Sequence, residues 1–133
     1  MVEIYQWVQR CQKEQDRSKQ SKLLGQIINA PCDKLDDLAE ICYLTDCPNL
    51  FRLTAIDRVC ILAWENALPL QIALEVVNPL FKEDKDPEIR LASFQWLATF
   101  FEDDMKRMKP ILSRARRDSN SRVRWWSRVG YTP

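Results

Sequence analysis

Asp84-Lys85-Asp86-Pro87-Glu88-Ile89-Arg90 runs without a break into Leu91-Ala92-Ser93-Phe94-Gln95-Trp96-Leu97-Ala98, and the reading of this stretch decides the fold. Asp86 can accept from the free backbone N–H groups of a first helical turn. Pro87 suits the first helical position because it has no N–H to leave unsatisfied, and Glu88 complements the positive end of the helix. A helix is therefore expected from Pro87, with Ile89, Ala92, Leu97 and Phe101 facing inward. The acid-to-arginine interval then recurs: Asp46 precedes Arg52, Asp84 precedes Arg90 and Asp118 precedes Arg124, each by six residues. The three aspartates are separated by 38 and 34 residues, a period in the range of helical-hairpin repeats.

Working outward, the chain reads as helices throughout. Its 133 residues suit one body, and only two are glycine, which favours helices over a turn-rich sheet. Ile4, Trp7, Val8 and Cys11 have helical spacing, and Leu23, Leu24, Ile27 and Ile28 make an apolar stripe in a helix started by Ser18 or Ser21. From Asp33 a further helix should bury Leu35, Leu38, Ala39, Ile41 and Cys42 and turn Asp36, Asp37 and Glu40 to water. The helix from Leu50 is apolar on more than one side, as expected of an inner element packed on several neighbours. Pro69 opens the next, which carries Pro79 in its interior and should bend there. Asp103 or Asp104 should cap a helix reaching Arg117, with Met105, Met108, Leu112 and Ala115 on its apolar face. A last helix covers Arg122 to Val129 and stops at Gly130.

Aligned on its aspartate, each unit has a helix, a short turn, Asp, an apolar residue (Phe51, Ile89 or Val123), Arg and a second helix. On these residues the chain resembles HEAT-repeat proteins over about residues 33–130, most closely between Ala73 and Phe101. The resemblance implies an all-α, α-α superhelix of about seven helices: capping helices over 1–32, then repeats over 33–68, 69–103 and 104–130. It also implies a structural ladder of Asp46, Arg52, Asp84, Arg90, Asp118 and Arg124 between neighbouring repeats. The residues themselves support that role, since an Asp in a tight turn binds backbone N–H groups and an Arg one turn into the next helix offers a forked donor.

Little in the sequence supports catalysis. Histidine is absent, and so are Gly-rich phosphate loops, nucleophile elbows and metal-binding spacings. The acidic run Glu83-Asp84-Asp86-Glu88 has Ile89 where a calcium loop needs glycine. Neither metal nor cofactor is expected. The five cysteines, Cys11, Cys32, Cys42, Cys47 and Cys60, form no CxxC pair and read as reduced and mostly buried, with Cys47 the expected exception. No apolar run is long enough for a bilayer and the N-terminus lacks the features of a secretory signal, so a cytoplasmic protein without membrane contact is expected.

The net charge of +1 conceals a division. Residues 105–133 hold nine basic side chains against Asp118 alone, a net +8, which leaves 11 basic and 18 acidic side chains, a net −7, in residues 1–104. At the basic end Arg114, Arg117, Arg122 and Arg128 accompany Trp125 and Trp126. Cations beside flat rings suit an acidic protein surface, and they also suit a phosphate backbone or unstacked bases. The bland reading has arginines solubilising a terminal repeat while one tryptophan completes its core. The function expected is non-catalytic: an assembly or adaptor module that binds a protein partner through its repeat surface and through this basic, Trp-containing C-terminal end, where these six residues are the expected contacts, with no small-molecule substrate. Nucleic-acid binding through the same basic end is the second reading.

Overall fold

The computed structural model describes residues 17–129, and every regular element among them is helical. The α-helices are α1 (Arg17–Ile28), α2 (Leu35–Tyr43), α3 (Asn49–Trp64), α4 (Leu70–Glu83), α5 (Pro87–Phe100), α6 (Met105–Arg116) and α7 (Ser121–Val129), with a 3-10 turn at Cys32–Lys34. The helix expected around Ile4 to Cys11, the stop at Gly130 and Cys11 itself lie outside the described residues. No described helix is long and apolar enough to cross a membrane. The chain forms two compact units, Met1–Val76 and Val77–Pro133.

In the first unit α3 packs against both α1 and α2. It buries Phe51, Arg52, Ala55, Ile56, Val59, Cys60, Leu62 and Ala63, which explains why its apolar residues follow no single stripe. Its end is built by Asn66, whose φ of 64° places it in the left-handed region. The Asn66 N–H donates to the Ala63 carbonyl at 3.1 Å and the Ala67 N–H to the Leu62 carbonyl at 2.8 Å, a Schellman closure that satisfies two otherwise orphaned acceptors. Asparagine takes the place of the more usual glycine because its short polar side chain tolerates that conformation.

Two expectations for α2 and its surroundings are corrected. Asp37 is buried, not turned to water, because it lies four residues before Ile41 and so shares its face. Cys47 is also buried, and among the described residues the exposed thiol is Cys32, which the 3-10 turn before α2 presents to solvent. Cys42 and Cys60 are buried as expected. Burial, reinforced by the Asp46 carboxylate, pushes the Cys47 thiol up to about 12, and burial likewise drives the Cys42 and Cys60 thiols well above their ordinary range. In α1 the inward face is narrower than expected, with Leu23 and Ile27 buried and Ile28 exposed.

The second unit holds α5, α6 and α7, each in contact with the other two. α4 runs from Leu70 to Glu83 through Pro79 as one continuous helix. Phe81 and Phe94 meet with ring centroids 5.9 Å apart, and Leu97, Met108, Leu112, Ala115 and Val123 are buried with them. The helix starts follow the sequence closely. The Asp86 carboxylate accepts from the Glu88 N–H at 2.8 Å with Pro87 beside it, and Asp104 is the residue that caps α6, accepting from the Arg107 N–H at 3.2 Å. Met105 departs from its expected place: as the first residue of α6 it has no preceding turn to pack under and remains exposed.

Candidate functional site

The turns before α5 and α7 are built alike. At the first, the Asp84 carboxylate accepts from the Asp86 N–H at 2.9 Å; at the second, Asp118 accepts from the Asn120 N–H at 2.8 Å. Asp86 and Asn120 then cap their helices, the latter accepting from the Arg122 N–H at 2.9 Å. Six residues after each aspartate an arginine folds back onto its carbonyl: Arg90 Nη1 donates to Asp84 at 2.9 Å and Arg124 Nη1 to Asp118 at 2.7 Å. Each turn is thus locked from inside by its own Asp and from above by its own Arg.

A second connection ties one turn to the other. Arg90 Nε and Nη2 reach the two carboxylate oxygens of Asp118 at 3.0 and 2.9 Å, a bidentate pair in which the side chains are 12% and 10% exposed. Partial burial works to raise the Asp118 pKa. The Arg90 hydrogen bond, the Asn120 N–H and the charges of Arg90 and Arg124 outweigh it, so that the carboxyl sits below its ordinary value. The hydrogen bond to Asp118 in turn raises the pKa of Arg90.

The turn before α3 is made differently. Pro48 stands where Asp86 and Asn120 stand in the later turns, and a proline has no N–H to offer Asp46. Arg52 is buried and its Nε donates to the Cys42 carbonyl at 3.0 Å, on the last turn of α2.

Beside the Arg90–Asp118 pair lies an open hollow of about 490 Å³, lined by Lys82, Asp84, Arg90, Arg114, Arg117, Asp118 and Ser119. It brings together two of the arginines singled out in the sequence, Arg114 and Arg117, with Lys82 and Ser119, which were not. Arg114 Nη2 donates to the Lys82 carbonyl at 2.9 Å, and Arg117 Nε to the Ser113 carbonyl at 3.2 Å. Lys82 is not marked out in the sequence, because it lies 32 residues before Arg114 and only folding joins them. The available signal was its place two residues before a repeat aspartate, on the helix turn that enters the joint.

The other four candidate residues line up on α7. Its inward face is Val123 and Ser127, both fully buried, the Ser127 hydroxyl donating to the Arg124 carbonyl at 2.6 Å. Arg122, Trp125, Trp126 and Arg128 are all exposed, the tryptophans at 54% and 36%, with Val129 at 57% beside them. The two indoles touch edge to face with centroids 5.2 Å apart. Neither tryptophan lines the hollow.

Comparison with protein-family models, with curated proteins and with solved structures finds no match to this chain. Among the described residues no three His, Cys, Asp or Glu side chains are grouped as a metal site would group them. The hollow offers tethered cations and the outer face of α7 offers exposed aromatic surface.

Proposed function

We propose that this chain is a small HEAT-like repeat module of the cytoplasm that binds another protein and catalyses nothing itself. The observation that carries this reading is the outer face of α7. Arg122, Trp125, Trp126 and Val129 fall within about a third of the helix circumference, opposite the buried Val123 and Ser127, and Arg128 flanks them. Exposing two tryptophans is unfavourable unless something covers them, and aromatic and arginine side chains dominate the energetics of protein interfaces. The excess of basic residues in α6 and α7 suits a partner with an acidic surface. The paired Asp turns and the Arg90–Asp118 bond support the repeat assignment, with Asp84, Arg90, Asp118 and Arg124 in structural roles and Asp46 and Arg52 as their counterparts in the first unit. The free thiols at Cys32, Cys42, Cys47 and Cys60 suit a reducing compartment.

Replacing Arg122, Trp125, Trp126 and Arg128 together by alanine should abolish capture of the partner from a lysate of the source cells, compared side by side with the unaltered chain. Helicity and Tm should change little, because all four residues are exposed. Unchanged capture by the variant refutes this face as the interface. The same nine basic residues after Met105 favour a second reading, backbone-directed binding of nucleic acid. That reading requires retention on DNA or RNA at low salt and a steep loss of affinity as salt rises.

A further inference from the structure

We propose that the hollow beside the Arg90–Asp118 pair is a binding site for a phosphomonoester group, held by Lys82, Arg114, Arg117 and Ser119. The charges around it do not cancel. Lys82, Arg90, Arg114 and Arg117 face only Asp84 and Asp118, a net charge of +2. Arg90 is already committed, with Nε and Nη2 on Asp118 and Nη1 on the carbonyls of Asp84 and Lys85. Asp118 is equally occupied, by Arg90 and by the Asn120 N–H. Asp84 holds the Asp86 N–H. The charge left over belongs to Lys82, Arg114 and Arg117, none of which has an ion pair among the described residues.

Two of these cations are held in place from behind. Arg114 is tethered through Nη2 to the Lys82 carbonyl and Arg117 through Nε to the Ser113 carbonyl, which leaves N–H groups of both guanidinium forks for a ligand. A tethered arginine loses less rotamer freedom when it binds. Ser119 adds a further donor. Its Oγ lies 3.4 Å from Arg90 Nη2 and accepts from it, so the hydroxyl proton points elsewhere. The donors thus come from the end of α4, the end of α6 and the turn that follows α6. Groups converging from three elements suit the three terminal oxygens of a tetrahedral phosphoryl group, where a planar carboxylate presents only two. A phosphomonoester carries about −1.5 to −2 at neutral pH, which matches the surplus of +2. The hollow is larger than a phosphoryl group alone and leaves room for whatever the ester joins.

The site does not depend on the outer face of α7, and its test is separate. Inorganic phosphate and a short phosphoserine peptide are titrated calorimetrically into the full chain, with the serine and glutamate versions of the peptide as controls. Saturable binding of a phosphate probe is expected, with none by the serine and glutamate peptides. Binding should weaken by about tenfold or more in Arg114→Gln/Arg117→Gln and severalfold in Lys82→Gln. Lys82→Gln guards against a folding artefact, since its exposed side chain supports nothing else, and circular dichroism checks both variants. Tighter binding of the phosphopeptide than of inorganic phosphate identifies a phosphorylated side chain as the source, and equal binding identifies the free ion. The Trp125→Ala/Trp126→Ala variant should bind phosphate like the parent chain. No saturable binding of either phosphate probe, binding of the glutamate peptide as tight as that of the phosphopeptide, or undiminished binding in folded variants overturns the proposal.

Discussion

Asp118 is the residue whose removal should be felt most sharply, because four hydrogen bonds meet on it. Its carboxylate takes both prongs of Arg90 and the Asn120 N–H, and its carbonyl takes Arg124. Asp118→Ala removes the first three and leaves the carbonyl contact. Hydrogen bonds to charged groups are worth about 1.5–3 kcal/mol, and breaking a fully buried pair from one side costs about 3–5 kcal/mol. Here the side chains are 12% and 10% exposed, so water can reach the stranded guanidinium and soften the loss. The expected destabilisation is about 2–3 kcal/mol, which for a domain of this size lowers Tm by roughly 10 °C. Asp118→Asn keeps an acceptor for the Asn120 N–H and should cost about half as much. Urea and thermal melts followed by far-ultraviolet circular dichroism measure both. A double-mutant cycle with Arg90→Gln isolates the pair and should give a coupling of about 1–2 kcal/mol. A coupling near zero, or Asp118→Ala within about 0.5 kcal/mol of the parent, would refute the view that the turns are held by this residue.

Two further outcomes follow from the same structure. Because the folded-state pKa of Asp118 is depressed, its contribution is fully present above the unfolded-state value near pH 3.9 and is lost as pH falls through the lower folded value. The stability gap between the parent chain and Asp118→Asn should therefore narrow below about pH 4 in melts repeated across acid pH. Arg52→Met keeps much of the volume of a buried side chain but strands the Cys42 carbonyl, so it should cost about 1.5–3 kcal/mol in urea melts; a change within experimental error would show that the Arg52 bond is dispensable.

The parts of this fold legible in the sequence were those written in adjacent residues. Asp86-Pro87 and Asp104 announced their helices because a cap is a local bond, made within three positions of the residue that makes it. The breadth of apolar residues in α3 likewise foretold an element packed on two neighbours. What the sequence leaves open is where a face ends. Asp37 follows Ile41 inward because helix geometry overrides the polarity of one side chain, and Met105 stays out because nothing precedes it in its helix. Cys32 and Cys47 exchanged their expected places because both sit in turns, whose exposure is set by the elements packed around them. For the candidate site, the outward face of α7 was legible as a cluster of Arg and Trp, whereas the hollow was only half legible. Arg114 and Arg117 stood out in a basic run, while Lys82 gained its meaning only from folding.

The six-residue interval between turn aspartate and helix arginine acts as a ruler for length variation in the chain. An arginine reaches back to its own turn only from one rotational position on the helix. Inserting a single residue between Asp118 and Arg124, or between Asp84 and Arg90, would swing the guanidinium by about 100° around the helix and away from the carbonyl it grips. Drift in length is thus forbidden within the two locked turns. At the first turn Pro48 removes only the N–H that the aspartate would hold; Arg52 keeps the same interval from Asp46, and its buried bond to the Cys42 carbonyl ties the start of α3 to the end of α2, so a change of length there would be felt in α2 as well.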